Sequence, residues 1–383
     1  MSRIPRLPER SLVVTAAAGA AFLVAWGLIH RGFWGQNQII DTPTYQRYGD
    51  AMLNHGLLPY RDFRVEYPPG ALPVFAFPSL FSGYDVAFAW LMAFFGVCLV
   101  AVTSLWRNAA AIFVALSPLL VGSLMLSRFD LWPTLLAAGA LVLLLHGRDR
   151  MGWAVLGGGV AAKVWPAVIV PLAAVWAWRR HRLRAAWAGA AVLLVATVPF
   201  AILAPHGLWQ SLSGQASRPM QIESLGAAFL TTFGHPSVIT THGSQNIDGH
   251  AALTAAMGVI QPLVVIALWI AYARGPATPE RLLRYSAASV CAFIAVGKVL
   301  SPQFLIWLVP LVPLVRGIRG AAATGLLASA LILTQVWFPA RYWDYAIEFR
   351  LAGVVLARDL VLVALLLVLA LPSRLPRAAA RSA

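Results

Sequence analysis

Lysine is nearly missing from this chain of 383 residues: of 29 basic side chains only Lys163 and Lys298 are lysines. Acidic residues number fourteen, cysteines two, and charged residues of both signs make up 11%. With 60% hydrophobic residues and a mean hydropathy of +0.75, so little charge excludes a water-soluble fold of this size. Cys98 and Cys291 both fall inside apolar segments, which excludes a disulfide framework and a cysteine metal site. The apolar runs lack the alternating polarity of strands that face lipid on one side and a lumen on the other, so a transmembrane barrel is disfavoured. Asp-x-Asp, a glycine-rich phosphate loop before a helix and a Gly-x-Ser-x-Gly elbow are all missing, which leaves nucleotide-dependent chemistry without support. His235, His242 and His250 lack a metal-ligand spacing, so no metal is expected. The remaining class is an all-α polytopic membrane protein, read as one unit over 1–383.

What charge there is has a pattern. The net +15 gathers in alternate loops: Arg107, Arg148 with Arg150, the run Arg179, Arg180, Arg182 and Arg184, then Arg274, Arg281 and Arg284, and Arg316 with Arg319. Arg3, Arg6 and Arg10 and the basic tail 374–383 continue it at the two ends. Cytoplasmic loops carry such an excess, so both termini are expected in the cytoplasm, and nucleic acid is not the expected partner. MSRIPRLPER could open a signal peptide, but no small-residue cleavage site follows and the run after it is long enough to span, so a retained first helix is expected. The opposite face holds most carboxylates, in near balance with arginine. About twelve spans are expected, with outer loops at 31–70 and 205–251.

Two hairpins do not fit a full crossing. Residues 151–178 and 285–315 leave about 13 residues per arm, roughly 20 Å of a core about 30 Å thick. Their tips, Lys163-Val164-Trp165-Pro166 and Lys298-Val299-Leu300-Ser301-Pro302-Gln303, are therefore expected at membrane depth, where irregular backbone is tolerated only beside protein or a wet cavity. The 109–147 hairpin, with Arg128 and Asp130 at its tip, is expected to make two full crossings. Asp130 is read either as an ion-pair partner of Arg128 or as a pocket ligand. Residues 70–82, apolar but too short to cross, are expected in the outer interface.

The polar stretch 41–73 follows the first apolar run and contains Asp41, Asp50, Asp62 and Glu66 with Arg47, Arg61 and Arg64. Tyr67-Pro68-Pro69-Gly70 turns the chain back to the bilayer, and residues 43–54 are expected as a surface helix with Asp41 or Thr42 near its N-cap. Asp62 and Glu66 each have an arginine within two residues and are read as paired, orienting carboxylates, while Asp41 is expected to be held rigidly at the end of the first span. Arg218 and Glu223, five apart, are expected to make separate contacts.

These residues carry a resemblance. Asp41, Tyr60-Arg61-Asp62-Phe63, Val65-Glu66-Tyr67-Pro68-Pro69-Gly70-Ala71, Gln221-Ile222-Glu223-Ser224-Leu225, and Leu300-Ser301-Pro302-Gln303 followed by Trp307 resemble glycosyltransferase family 87. That family, which includes bacterial mannosyltransferases, belongs to the GT-C class of polytopic enzymes using polyprenyl phosphate sugars. The resemblance implies a GT-C-like bundle in the bacterial plasma membrane, a polyprenyl phosphate sugar donor, mannose as the expected sugar, and a general base in the first outer loop, which falls on Asp41. The residues themselves suggest the other roles. Lys163, Lys298 and Arg218 are candidates for the donor phosphate; Arg61, Asp62, Glu66, Tyr67, Asp130, Glu223 and Gln303 are candidates for binding or orienting substrate. A carboxylate would take the proton of an acceptor hydroxyl on a lipid or glycan while cations stabilise the departing phosphate, inverting the anomeric centre without a cofactor. The rival classes are a transporter or flippase of lipid-linked sugars and a membrane glycan polymerase or ligase. A transporter would place its charges at the midplane, whereas here they cluster at one face, with Arg358 and Asp359 in the last span as the main exception.

Overall fold

In hydrocarbon every backbone N–H and C=O must be paired within the segment, so long apolar runs become helices. A computed structural model describes residues 9–35 and 39–371. The tail 374–383 and Arg3 and Arg6 lie outside the described residues. The helices are α1 (Glu9–His30), α2 (Thr42–Leu53), α3 (Leu72–Ala76), α4 (Tyr84–Ser104), α5 (Asn108–Val121), α6 (Leu124–Ser127), α7 (Leu131–Leu145), α8 (Asp149–Ala162), α9 (Val170–Arg179) and α10 (Trp187–Leu203). They continue as α11 (Pro205–Ala216), α12 (Leu225–Phe233), α13 (Ala251–Arg274), α14 (Pro279–Ala295), α15 (Leu305–Leu311), α16 (Gly317–Trp337), α17 (Tyr342–Glu348) and α18 (Ala352–Ala370). Strands β1 (Val238–Thr241) and β2 (Ser244–Ile247) stand between α12 and α13.

Among the described residues six helices are long and apolar enough to cross a membrane: α1, α4, α10 with the turn before it, α13, α16 and α18. Three hairpins, α5/α7, α8/α9 and α14/α15, supply six shorter arms. Two of these hairpins have arms shorter than a crossing needs, 14 and 10 residues in α8 and α9 and 17 and 7 in α14 and α15, the lengths from which sunken tips are expected. The third corrects the expectation of two full crossings, because α5 and α7 have only 14 and 15 residues, about 21–23 Å each. The apolar run continues through α6 and the tip, where Ser127, Arg128, Phe129 and Asp130 are all buried in protein, so neither arm is the single full-length helix expected of it.

One contiguous cluster of buried apolar side chains joins these elements, from Ala18 in α1 to Leu369 in α18. Close approach of α8 and α10 depends on glycine: a Cβ on Gly189 would lie 2.6 Å from the Trp153 carbonyl oxygen, and α10 otherwise turns most of its length outward. Residues 69–80 form short helices against α2 and α4 rather than a span. Gly70 is pressed onto the last turn of α8, since a Cβ there would meet the Ala161 carbonyl carbon at 2.6 Å. That contact brings the Tyr-Pro-Pro-Gly turn beside Lys163, the residue that ends α8.

The connection 205–251 is more ordered than its sequence suggests. It contains α11, α12 and a two-stranded hairpin with Val238 opposite Ile247 and Thr241 opposite Ser244. The hairpin turns on His242 and Gly243, with φ of 53° and 67°, the doubly left-handed backbone that matches the twist of the strands.

Candidate active site

The expected surface helix is α2, and Asp41 is its N-cap residue. This corrects the idea that Asp41 ends the first span: α1 stops at His30, and the chain makes a separate connection before Asp41. Its carbonyl accepts from the Thr44 and Tyr45 N–H groups. The carboxylate does not cap the helix; it turns inward, accepts from the Tyr45 hydroxyl at 3.3 Å and forms an ion pair with Arg128. The Arg128 side chain is 7% exposed while that of Asp41 keeps 32% of its surface open. Arg128 also donates to the Ile39 carbonyl at 2.9 Å, and its Nε is buried without a partner.

Arg128 therefore belongs to Asp41, and the alternative pairing with Asp130 is not formed. Asp130 has no exposed side-chain surface and holds Lys163 at 2.7 Å. The same carboxylate oxygen, Oδ1, accepts from the Trp307 indole at 2.5 Å, while Oδ2 is buried without a partner. Four rings surround the Lys163 ammonium: Phe129 at 4.8 Å, Trp307 at 5.4 Å, Phe304 at 5.7 Å and Tyr67 at 5.9 Å. Ring quadrupoles attract a cation most where water is excluded, so this cage holds the ammonium beside its carboxylate. Trp165 stacks on Trp307 at 4.9 Å, joining the two lysine hairpins. The Trp132 indole donates to the Gly70 carbonyl at 3.3 Å and joins the third hairpin to the Tyr-Pro-Pro-Gly turn.

Segment 220–224 completes the surroundings, and its backbone is tied on four sides. Gln221 N–H donates to the Lys298 carbonyl at 2.9 Å, Ile222 N–H to Gln245 at 3.0 Å, and the Met220 carbonyl accepts from Ile247 at 2.8 Å. The Tyr345 hydroxyl donates to the Ile222 carbonyl at 2.6 Å, and Arg358 from α18 to the Glu223 carbonyl at 2.8 Å. This gives the intramembrane Arg358 a structural use. It pairs with Asp359 at 2.6 Å and holds the loop from below. Glu223 itself is 2% exposed, and burial pushes its carboxyl up to about 7 against the opposing pull of Arg358, Tyr342 and Gln221. Burial, and then the Glu223 charge, raise the Tyr342 phenol well above its ordinary range. Arg218 makes separate contacts, as expected, donating to the His242 carbonyl at 2.5 Å and to Gln215 at 3.4 Å.

The remaining candidates divide. Tyr67 sits in the Lys163 cage, and its carbonyl accepts from the Tyr60 hydroxyl at 2.6 Å. Gln303 is buried in the turn before α15, and Lys298 is half-buried at its tip. Arg61 and Asp62 pair with each other at 2.8 Å on the outside of the loop. The Arg61 bond, then the Leu58 N–H, hold the Asp62 carboxyl down at about 2. Glu66 corrects the expectation of a paired carboxylate: it is exposed, and among the described residues it makes no ion pair. Instead it lines a surface depression with Arg47, Tyr48 and Arg64. Tyr45 and Tyr342 escaped the sequence reading because each stands among many aromatic residues. The signal for Arg128 was present, as an arginine two residues from an aspartate in a loop outside the basic series. Among the described residues no group of histidine, cysteine or carboxylate side chains is arranged to hold a metal ion.

The fold is similar to that of ArnT from Cupriavidus metallidurans. The ArnT structure bound to undecaprenyl phosphate matches with a TM-score of 0.50 at 15% identity, covering 94% of this chain and 76% of ArnT. The apo structure matches with the same score and identity, covering 92% and 75%. No curated protein matches the chain. The profile of glycosyltransferase family 87 matches residues 66–302, more than half of the length. That stretch contains the Glu66-Tyr67-Pro68-Pro69-Gly70 turn, the Asp130–Lys163 pair and segment 220–224, and the chain belongs to glycosyltransferase family 87, a membrane glycosyltransferase with a GT-C architecture.

Proposed function

We propose that the protein transfers a sugar, with mannose first in order, from a polyprenyl phosphate donor to a hydroxyl of a lipid or glycan at the outer face of the plasma membrane. Asp41 serves as the general base. The observation that carries this reading is the Asp41–Arg128 pair, one partner open and the other buried, beside the caged Asp130–Lys163 pair at the end of three short hairpins. The ArnT structure contains undecaprenyl phosphate, which supports a lipid phosphate donor for a relative of the same architecture.

The acceptor oxygen attacks the anomeric carbon as the bond from that carbon to the phosphate oxygen breaks. The acceptor proton passes to the Asp41 carboxylate, and polyprenyl phosphate leaves as the anion. Arg128 fixes the carboxylate and Tyr45 orients it, so that its exposed edge meets the acceptor. Lys163 has Arg128 and Arg218 within electrostatic reach, and with Lys298 on the neighbouring tip these cations stabilise the charge that develops on the phosphate. The buried Glu223, Tyr342 and Gln303 are assigned to holding the donor, and the exposed Arg61, Asp62 and Glu66 to orienting the acceptor. Both termini and the arginine-rich loops lie on the opposite, cytoplasmic face.

Purified protein in lipid nanodiscs, offered a panel of polyprenyl phosphate sugars with a lipid extract as acceptor, tests this directly. Release of polyprenyl phosphate with inversion at the transferred sugar is expected, and transfer from nucleotide sugars alone would overturn it. Labelling of single cysteines placed at Gln46 and Ser244 in intact cells tests the orientation, and reaction only after permeabilisation would reverse it.

A further inference from the structure

The turns at the far ends of α7 and α8 form a second concave site. Asp130 and Lys163 adjoin one end of these helices; the turn between Leu145 and Asp149 lies at the other, one helix length or about 21 Å away. Beside it packs the turn joining α9 to α10, and together they line an open surface cavity of about 430 Å³. Arg148, Arg150, Arg182 and Arg184 line it, against a single carboxylate, Asp149. Asp149 is buried and accepts from Arg182 at 2.7 Å, which fastens one turn to the other. Among the described residues the guanidinium groups of Arg148, Arg150 and Arg184 make no hydrogen bond or ion pair.

The insertion rule accounts for arginine in these loops but not for its convergence. Loop arginines that serve only orientation gain by spreading into water, because like charges held around one concavity repel. The arrangement becomes favourable when an anion occupies it. Trp178 at the end of α9 and Trp187 at the start of α10 stand on either side, along the chain, of the turn that carries Arg182 and Arg184, and are 63% and 76% exposed. Exposed tryptophan at a helix end marks the headgroup level of a bilayer. From there α10 presents an apolar surface along Leu194, Val195 and Ile202, all more than half exposed.

We propose that this cavity holds the phosphate of an anionic membrane phospholipid, with the acyl chains lying along α10. Arg148, Arg150 and Arg184 take the phosphate oxygens, and Asp149 keeps Arg182 in place as the wall. The site is separate from the transferase centre and does not depend on the donor assigned there.

Native mass spectrometry of the full chain with short-chain phosphatidylglycerol, short-chain phosphatidylcholine and inorganic phosphate tests the proposal. Phosphatidylglycerol is expected to bind with one preferred stoichiometry and to raise the thermal midpoint. The double variant Arg148→Gln/Arg184→Gln should weaken its Kd about thirtyfold, at about fivefold for each arginine near a lipid phosphate. The control Arg319→Gln, in the first turn of α16 and not among the residues that line the cavity, should leave it unchanged. If the double variant does not fold, Arg184→Gln alone, which removes no bond, should still weaken binding about fivefold. Equal binding of phosphatidylcholine, or an equal loss in the control, would overturn the site. Inorganic phosphate binding as tightly as phosphatidylglycerol would overturn the lipid assignment.

Discussion

Asp41 and Asp130 each hold one basic side chain, yet they are built for different work. Asp41 lies on the first long polar connection, keeps about a third of its side-chain surface open, and faces an arginine that is itself buried. Asp130 lies at a sunken hairpin tip, has no exposed surface, and shares one oxygen between an ammonium and an indole. A carboxylate without exposed surface contributes position; one with an open edge can also exchange a proton. In the proposed mechanism the difference separates the carboxylate that acts from the one that supports.

The largest expected effect tests the supporting half. Asp130→Asn leaves the Lys163 ammonium unpaired in its cage, and breaking a buried pair by removing one partner costs about 3–5 kcal/mol. The thermal midpoint in nanodiscs should fall steeply; an unchanged midpoint would mean that the rings alone hold the lysine. Glu223 sharpens the comparison as a third carboxylate, buried in a loop with its pKa raised from 4.5 to about 7. Between these values the folded chain binds a proton that the unfolded chain does not, so stability is fully present at pH 4 and falls as the pH rises to about 7. The loss by pH 8 is about 3 kcal/mol. Glu223→Gln should flatten the thermal midpoint across pH 5 to 8, and a variant that keeps the wild-type slope would place the titrating group elsewhere.

Asp41→Asn tests the acting half. It keeps the shape and the Tyr45 contact but cannot take a proton, so kcat should fall about 10²-fold or more, with donor affinity near wild type; the thermal midpoint also falls, because Arg128 loses its partner, but less than in Asp130→Asn, since Asp41 keeps about a third of its side-chain surface open. Near-normal turnover in Asp41→Asn with loss in Glu66→Gln would move the base to the exposed glutamate. The smallest change is Lys163→Arg, which keeps the charge but replaces a compact ammonium with a planar fork in a cage of four rings. Turnover should fall about tenfold, and full activity would show that the cage tolerates either shape.

Much of this was legible from residue order. The short arms beside Lys163 and Lys298 announced sunken tips by length alone, and α2 was readable from Thr42-Pro43 and the polar pattern behind it. The family was readable because its turn motif, Tyr-Pro-Pro-Gly, is built from residues whose backbone limits are intrinsic. The partners of the charges were not. Arg128 stands two residues from Asp130 yet pairs with Asp41, 87 positions earlier, and Asp130 reaches Lys163 and Trp307 on two other hairpins.

The sequence by itself determined a helical membrane protein, its alternation of basic loops, and the set of polar residues available for chemistry. Hydropathy, proline geometry and charge distribution are properties of the residues wherever the chain goes. Tertiary structure alone decided which carboxylate stays open, which lysine is caged, and that four arginines from separate turns share one cavity. Pairing energies depend on distance and burial, and neither exists until helices from distant parts of the chain pack against one another.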